Sequence, residues 1–212
     1  MKGILVRPSE TALQVAHAMS AVLRAEVRAV PHNVSDDDFL RALAGADVTA
    51  GVVELDGGGW RILQRATTPV VLVPARVRPG PITRVLVPLD GSDEAVHAVA
   101  ETVRLFRAAG VVIIVLHVFD RGTVPAYWDQ AAHAREAWED EFLARYCSPH
   151  FPGPAPAVTL RSGHPGENVV DVAAEQADLI ILGWSRNLLP GRAETVRRTV
   201  ADATVPVLLI PD

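Results

Sequence analysis

Cysteine is almost missing from this chain: Cys147 stands alone among 212 residues. No internal disulfide can therefore staple the fold, and a reducing, cytoplasmic setting is the expected one. Lysine is equally scarce, with Lys2 the single example and the other nineteen basic residues arginine, a bias that reads as GC-rich coding before any functional demand. There is no dense basic block and the net charge is −5, so the electrostatic footprint of a nucleic-acid binder is absent. No apolar run approaches the ~18 residues that span a bilayer, so no membrane partner is expected. The opening Met1-Lys2-Gly3-Ile4 reads as the start of a strand rather than a signal peptide, because Arg7-Pro8 ends the apolar stretch too soon. What the chain does have is apolar residue, 49% against 21% charged, enough to bury a core.

It also repeats itself. Ala46-Asp47 opens a stretch that passes through Gly51-Val52-Val53 to Thr67-Thr68-Pro69-Val70-Val71-Leu72-Val73-Pro74, and Ala177-Asp178 opens another, through Leu179-Ile180-Ile181-Leu182-Gly183 to Thr204-Val205-Pro206-Val207-Leu208-Leu209-Ile210-Pro211. In each, two apolar β-rich runs bracket a polar, helix-compatible segment. Upstream of each lies a further strand, Gly3-Ile4-Leu5-Val6 and Arg84-Val85-Leu86-Val87-Pro88. Self-similarity of this kind points to two unequal copies of one α/β unit.

The second copy is the clearer. Val85 to Leu89 is a continuous apolar strand of the kind buried on both faces of a parallel sheet. Asp90-Gly91-Ser92 turns the chain, and Ser92 or Asp93 caps a helix over about 94–109. Strands are expected at 111–118, 157–160, 178–182 and 207–210, with helices at 128–146, 166–176 and 192–203. The first copy holds four strands at most, at 4–6, 27–30, 48–54 and 70–73, with helices near 11–24 and 35–44. The linker is the arginine- and proline-rich 75–81, so the expected domains are 1–76 and 77–212. Alternating strands and helices imply right-handed crossovers and a doubly wound parallel α/β sheet.

These residues resemble the universal stress protein family. The likeness is carried by Val85-Leu86-Val87-Pro88-Leu89-Asp90-Gly91-Ser92, by Leu116-His117-Val118, by Gly163-His164-Pro165-Gly166-Glu167, by Ala177 to Gly183 and by Val205 to Pro211. It runs in order over 84–212, with a fainter version over 1–74: a tandem protein with a shortened first unit. The resemblance implies a five-stranded parallel sheet of order 3-2-1-4-5 in the second unit. It also implies a ligand beyond the strand ends, where the strand order reverses, between Asp90 and Gly183. In nucleotide-binding members that wall holds adenine and ribose, and Pro88, Leu89, Asp90 and Val118 carry over to it by position.

The phosphate half carries over poorly. Nucleotide-binding members show glycine, two residues, glycine, nine residues, then glycine and serine or threonine, because phosphate needs close backbone approach and a nest of N–H groups. Gly183 stands at the first position, but Arg186 and Val196 occupy the next two. Counting back from Pro206 puts Ala193-Glu194 at the glycine-serine site, and Gly191 is the other glycine of this loop. Charge-assisted hydrogen bonds to phosphate contribute roughly 1.5–3 kcal/mol each. Losing two costs about 4 kcal/mol, or about a thousandfold in affinity. Arg186, Arg192, Arg197 and Arg198 could restore part of that.

The expected function is therefore non-catalytic: a stress-response protein acting through a protein partner or through weak sensing of ATP, ADP or AMP. The site would comprise Pro88, Leu89, Asp90, Val118, Gly183, Arg186, Gly191 and Arg192. Slow ATP hydrolysis or adenylate chemistry on the same fold, and a ligand-free interaction module, are the alternatives. No metal is expected; His133, Glu136 and Glu139 share a helical face, but a charged surface helix with an incidental histidine accounts for them. His117 reads as a hydrogen-bonded residue at a strand end, and Gly57-Gly58-Gly59 as a flexible turn. Family members commonly pair through the last strand, and both Val70–Val73 and Val207–Ile210 are short apolar edges that seek pairing. Pairing of the two copies within one chain, as a pseudo-dimer, is expected.

Overall fold

The computed structural model describes residues 2–55, 58–119, 132–184 and 192–211, with the side chains of 132–135 and 192–193 left out. In chain order the elements are β1 (Gly3–Val6), α1 (Glu10–Leu23), β2 (Glu26–Ala29), α2 (Asp36–Leu43), β3 (Val48–Glu54), α3 (Gly59–Arg65) and β4 (Val70–Val73). After the linker follow β5 (Arg84–Pro88), α4 (Asp93–Ala108), β6 (Val112–Phe119), α5 (Ala132–Phe142), a π-helical turn (Leu143–Cys147), β7 (Ala157–Ser162), α6 (Pro165–Gln176), β8 (Leu179–Trp184), α7 (Arg192–Asp202) and β9 (Val207–Pro211).

Serine sets three of the helix starts. Ser9, Ser35 and Ser92 sit in extended backbone, and their hydroxyls accept from the N–H of Ala12, Asp38 and Ala95 at 3.1–3.2 Å. Each satisfies a donor that the first turn would leave bare.

Among the described residues nine strands form one sheet in the order β2-β1-β3-β4-β9-β8-β5-β6-β7. Every ladder is parallel except one: β4 and β9 run antiparallel, with Val70 opposite Leu209, Val71 opposite Leu208 and Leu72 opposite Val207. The sheet is therefore mixed, where strand-helix alternation alone predicts it all parallel. The reason is geometric, since β4 and β9 each end a run of parallel strands joined by helical crossovers and meet edge to edge, with no crossover between them to impose a direction.

Helices cover both faces. On one, Val15 and Met19 of α1 and Val96, Val99, Val103 and Phe106 of α4 pack on alternate strand residues such as Val6, Val85, Val87 and Ile181. On the other, Phe39 and Leu43 of α2, Ile62 and Leu63 of α3, Val169 and Val172 of α6 and Val196 and Val200 of α7 pack on Leu72, Leu86, Ile180 and Leu209. Burial on both sides is why these strands read as unbroken apolar runs instead of alternating ones.

Two local expectations need correction. The helix expected over 128–146 is, within the described residues, α5 followed by the π-helical turn. Gly59 is no flexible hinge: it opens α3, and a Cβ there would lie 2.4 Å from the Glu54 carbonyl oxygen, so helix and strand approach too closely for any side chain. Gly57 falls outside the described residues.

Candidate ligand-binding cleft

β5 leaves the sheet between β8 and β6, so the chain crosses the sheet in opposite senses on its two sides. Beyond the carboxyl ends of these strands the crossover connections diverge and leave a crevice. A cavity of about 920 Å³ occupies that place, within the range of small-molecule sites.

Its floor starts with Pro88, Leu89 and Asp90. The Asp90 carboxylate accepts from the Ser92 backbone N–H at 2.9 Å and from the Ser92 hydroxyl at 2.6 Å, while Gly91 takes φ 81° to complete the turn. Asp90 is thus held by its own loop at the cavity edge. A Cβ on Gly91 would also lie 3.4 Å from His117 Cε1.

His117, near the end of β6, closes the next side. Its Nδ1 stands 2.9 Å from the Leu89 carbonyl oxygen. A carbonyl can only accept, so Nδ1 carries the proton and Nε2 is the acceptor of the neutral ring. The ring meets Phe119 edge-on at 4.6 Å and Phe142 at 4.8 Å. Phe142 in turn contacts Tyr146 at 4.9 Å, and Phe119 contacts Trp138 at 5.9 Å. These rings make one wall aromatic, with Trp138 still 39% exposed.

Two glycines, Gly183 and Gly166, bring elements close to each other. A Cβ on Gly183 would stand 3.1 Å from the Ala98 Cβ, so Gly183 seats β8 against α4. A Cβ on Gly166 would stand 2.7 Å from the Arg198 Cβ, so Gly166 seats α6 against α7.

The charges are lopsided. Among the described lining residues are the carboxylates of Asp90, Glu94, Glu141, Glu167 and Glu194, against the guanidiniums of Arg145 and Arg198. Arg198 is engaged by Asp202 at 2.7 Å and Glu167 at 3.8 Å, and Arg145 lies over the Tyr146 ring at 5.1 Å. Cys147, in the π-helical turn, is buried, and burial pushes its thiol up to about 11, so it is no nucleophile. Among the described residues no group of three or more His, Cys, Asp or Glu could hold a metal; the side chain of His133 is outside them.

Pro88, Leu89, Asp90, Val118 and Gly183 all line the cavity. Arg186 and Gly191 lie outside the described residues, and Arg192 is the first residue of α7 with its side chain outside them. Sequence reasoning missed Glu94, Glu141, Phe142, Tyr146 and Trp184. The spacing of Phe142 and Tyr146, four apart on one helical face, was the available signal for two of them. Nothing local marked Trp184, which packs edge-on at 5.8 Å against Trp60 from the other half of the chain.

The first half has a different arrangement at the matching position. Arg7, just after β1, pairs with Asp36 at 2.9 Å, donates to the Val34 carbonyl at 3.3 Å and lies over the Phe39 ring at 5.3 Å. Arg61 joins Asp36 from α3 at 3.1 Å, and the Ser9 hydroxyl donates to Glu54 at 2.6 Å. A cavity of about 520 Å³ lies beside these ions, lined by Val34, Asp36, Arg61 and Arg65 among others.

The model of the universal stress protein family matches residues 81–211, and the chain belongs to that family. No curated protein matches it significantly. Among solved structures, a universal stress protein from Archaeoglobus fulgidus DSM 4304 is similar at 15% identity and a TM-score of 0.61, over 94% of this chain and 76% of that one. A putative universal stress protein from Pseudomonas aeruginosa UCBPP-PA14 is similar at 14% identity and a TM-score of 0.62, over 98% of this chain and 81% of that one. Both show a shared fold across nearly the whole chain. No helix among the described residues is long and apolar enough to cross a membrane.

Proposed function

We propose that this chain is a tandem of two universal-stress-type units, 1–76 and 77–212, acting in stress response without catalysis. In this reading the second unit holds a weak adenine-nucleotide site, and the first is its built-in pairing partner through β4 and β9. The observation that carries it is the contrast between the two clefts. The second opens into about 920 Å³ at the switch point of its strands, whereas the first has the Arg7, Asp36 and Arg61 ion cluster at the matching strand end and a smaller cavity of about 520 Å³ beside it. Pro88, Leu89, Asp90 and Val118 would form the wall for base and ribose. Gly183 would contribute by seating β8, and Arg186, Gly191 and Arg192 would border the polar end.

Titration calorimetry with adenosine, AMP, ADP and ATP, repeated on Asp90→Ala, tests this. Binding at one ligand per chain, weakened about tenfold or more in the variant, is expected. No heat with any of these compounds up to millimolar concentration would remove nucleotide sensing and turn the search to protein partners.

A further inference from the structure

Three segments converge on Gly91 at the cavity edge, and all three lie within the described residues. A Cβ on Gly91 would stand 3.4 Å from His117 Cε1, at the end of β6, and 3.8 Å from the Tyr146 hydroxyl, in the π-helical turn. Each of these two side chains is half-buried, and each lines the cavity. Nδ1 of His117 donates to the Leu89 carbonyl at 2.9 Å, which fixes the tautomer and leaves Nε2 as an acceptor. Among the described residues neither Nε2 nor the Tyr146 hydroxyl has a hydrogen-bond partner. Both rings are nevertheless held in place: Phe119 and Phe142 pack on His117 at 4.6 Å and 4.8 Å, while Phe142 and the Arg145 guanidinium pack on Tyr146 at 4.9 Å and 5.1 Å. The π-helical turn that carries Tyr146 is a local geometry proteins keep mostly at functional sites.

We infer that His117 and Tyr146 are specificity-determining residues of the cleft, reading an amino group on the edge of the ligand's planar ring. The inference rests on reading the cleft as an adenine-ligand site and goes further by naming the side chains that select the ring. An amino group offers two N–H donors. The neutral imidazole nitrogen can only accept, and the phenol oxygen accepts as well. The aromatic wall of Phe119 and Phe142 brings a flat ring to this corner, and Gly91 leaves room for its edge. A ring with a bare C–H in place of the amine would cover Nε2 and the hydroxyl without pairing either, and binding would weaken accordingly.

Adenosine and purine riboside, which lacks only the 6-amino group, test it, each titrated as the nucleoside and as the 5′-monophosphate. The wild type should prefer the amine by about tenfold. His117→Asn keeps an amide N–H where Nδ1 donates to the Leu89 carbonyl and removes Nε2. A purely structural histidine would therefore survive this change, whereas the preference for the amine should fall to about twofold, mostly through weaker binding of the amine-bearing compounds. Tyr146→Phe removes one oxygen, keeps the ring, and should lower the preference to about threefold; it carries the test if the circular-dichroism melt shows His117→Asn unfolded. Equal binding of the two rings by the wild type overturns the inference while leaving nucleotide sensing intact. A preference that persists unchanged in the folded variants also overturns it, because His117 would then serve only to join β6 to the end of β5. Absence of binding by every compound overturns both readings together.

Discussion

Asp178 shows how a single side chain ties distant sequence together. Burial by itself would raise its carboxyl, but hydrogen bonds from the Thr83 hydroxyl at 2.7 Å and from the Thr83 and Arg84 N–H groups at 2.9 Å outweigh that and hold it below the ordinary value. It thereby locks the start of β8 to the start of β5. A depressed carboxylate stabilises the fold above its unfolded value, about 3.9, and loses that contribution as pH falls through the lower folded value. Asp178→Asn should therefore melt lower than wild type by roughly 1–2 kcal/mol near pH 7. The gap should stay level down to about pH 5 and close in more acid solution, as a pH series of thermal melts would show. Gly183 makes a steric case instead. Gly183→Ala should cost about 1–2 kcal/mol through its clash with Ala98, and Ala98→Gly in the same chain should recover part of it. Equal melting of all three proteins would refute the packing role.

The antiparallel ladder between β4 and β9 joins the two halves at the level of elements. β4 is paired on both sides, with β3 and β9, a central position that proline does not suit. Val71→Pro should break the seam and expose two apolar edges, Val70–Val73 and Val207–Pro211. Self-association is the expected result, read as a rise in sedimentation coefficient with protein concentration. A variant that stays monomeric and melts like wild type would show that the helices hold the halves together without the ladder. Trp60 of α3 against Trp184 of β8 is a second bridge, and it reaches the cavity wall.

Taken as a whole molecule, the two halves differ in what stands at the end of their first strand. In the first, a guanidinium stands where the second has a turn built on Asp90. Arg7 is held by Asp36, the Val34 carbonyl and the Phe39 ring, so its guanidinium is already engaged at that strand end. One ligand per chain is therefore the expected stoichiometry, and two equivalent sites would contradict that difference.

Much of the architecture was legible in the sequence, because strands buried on both faces must be apolar throughout and helices between them must show a stripe. Val85 to Leu89 and Leu179 to Leu182 announced themselves in that way, and the crossover rule then located the crevice beside Asp90. Tertiary structure alone decided the rest. The carboxylates of Glu94, Glu141, Glu167 and Glu194 come from four separate helices, and their shared sign acts only once the fold gathers them around one cavity. Gly183 read from the sequence as a glycine at the ligand site; its close packing against Ala98, and that of Gly166 against Arg198, appear only in the fold. The direction of the central ladder and the ion cluster of Arg7, Asp36 and Arg61 likewise depend on contacts between segments far apart in the chain, which no local pattern encodes.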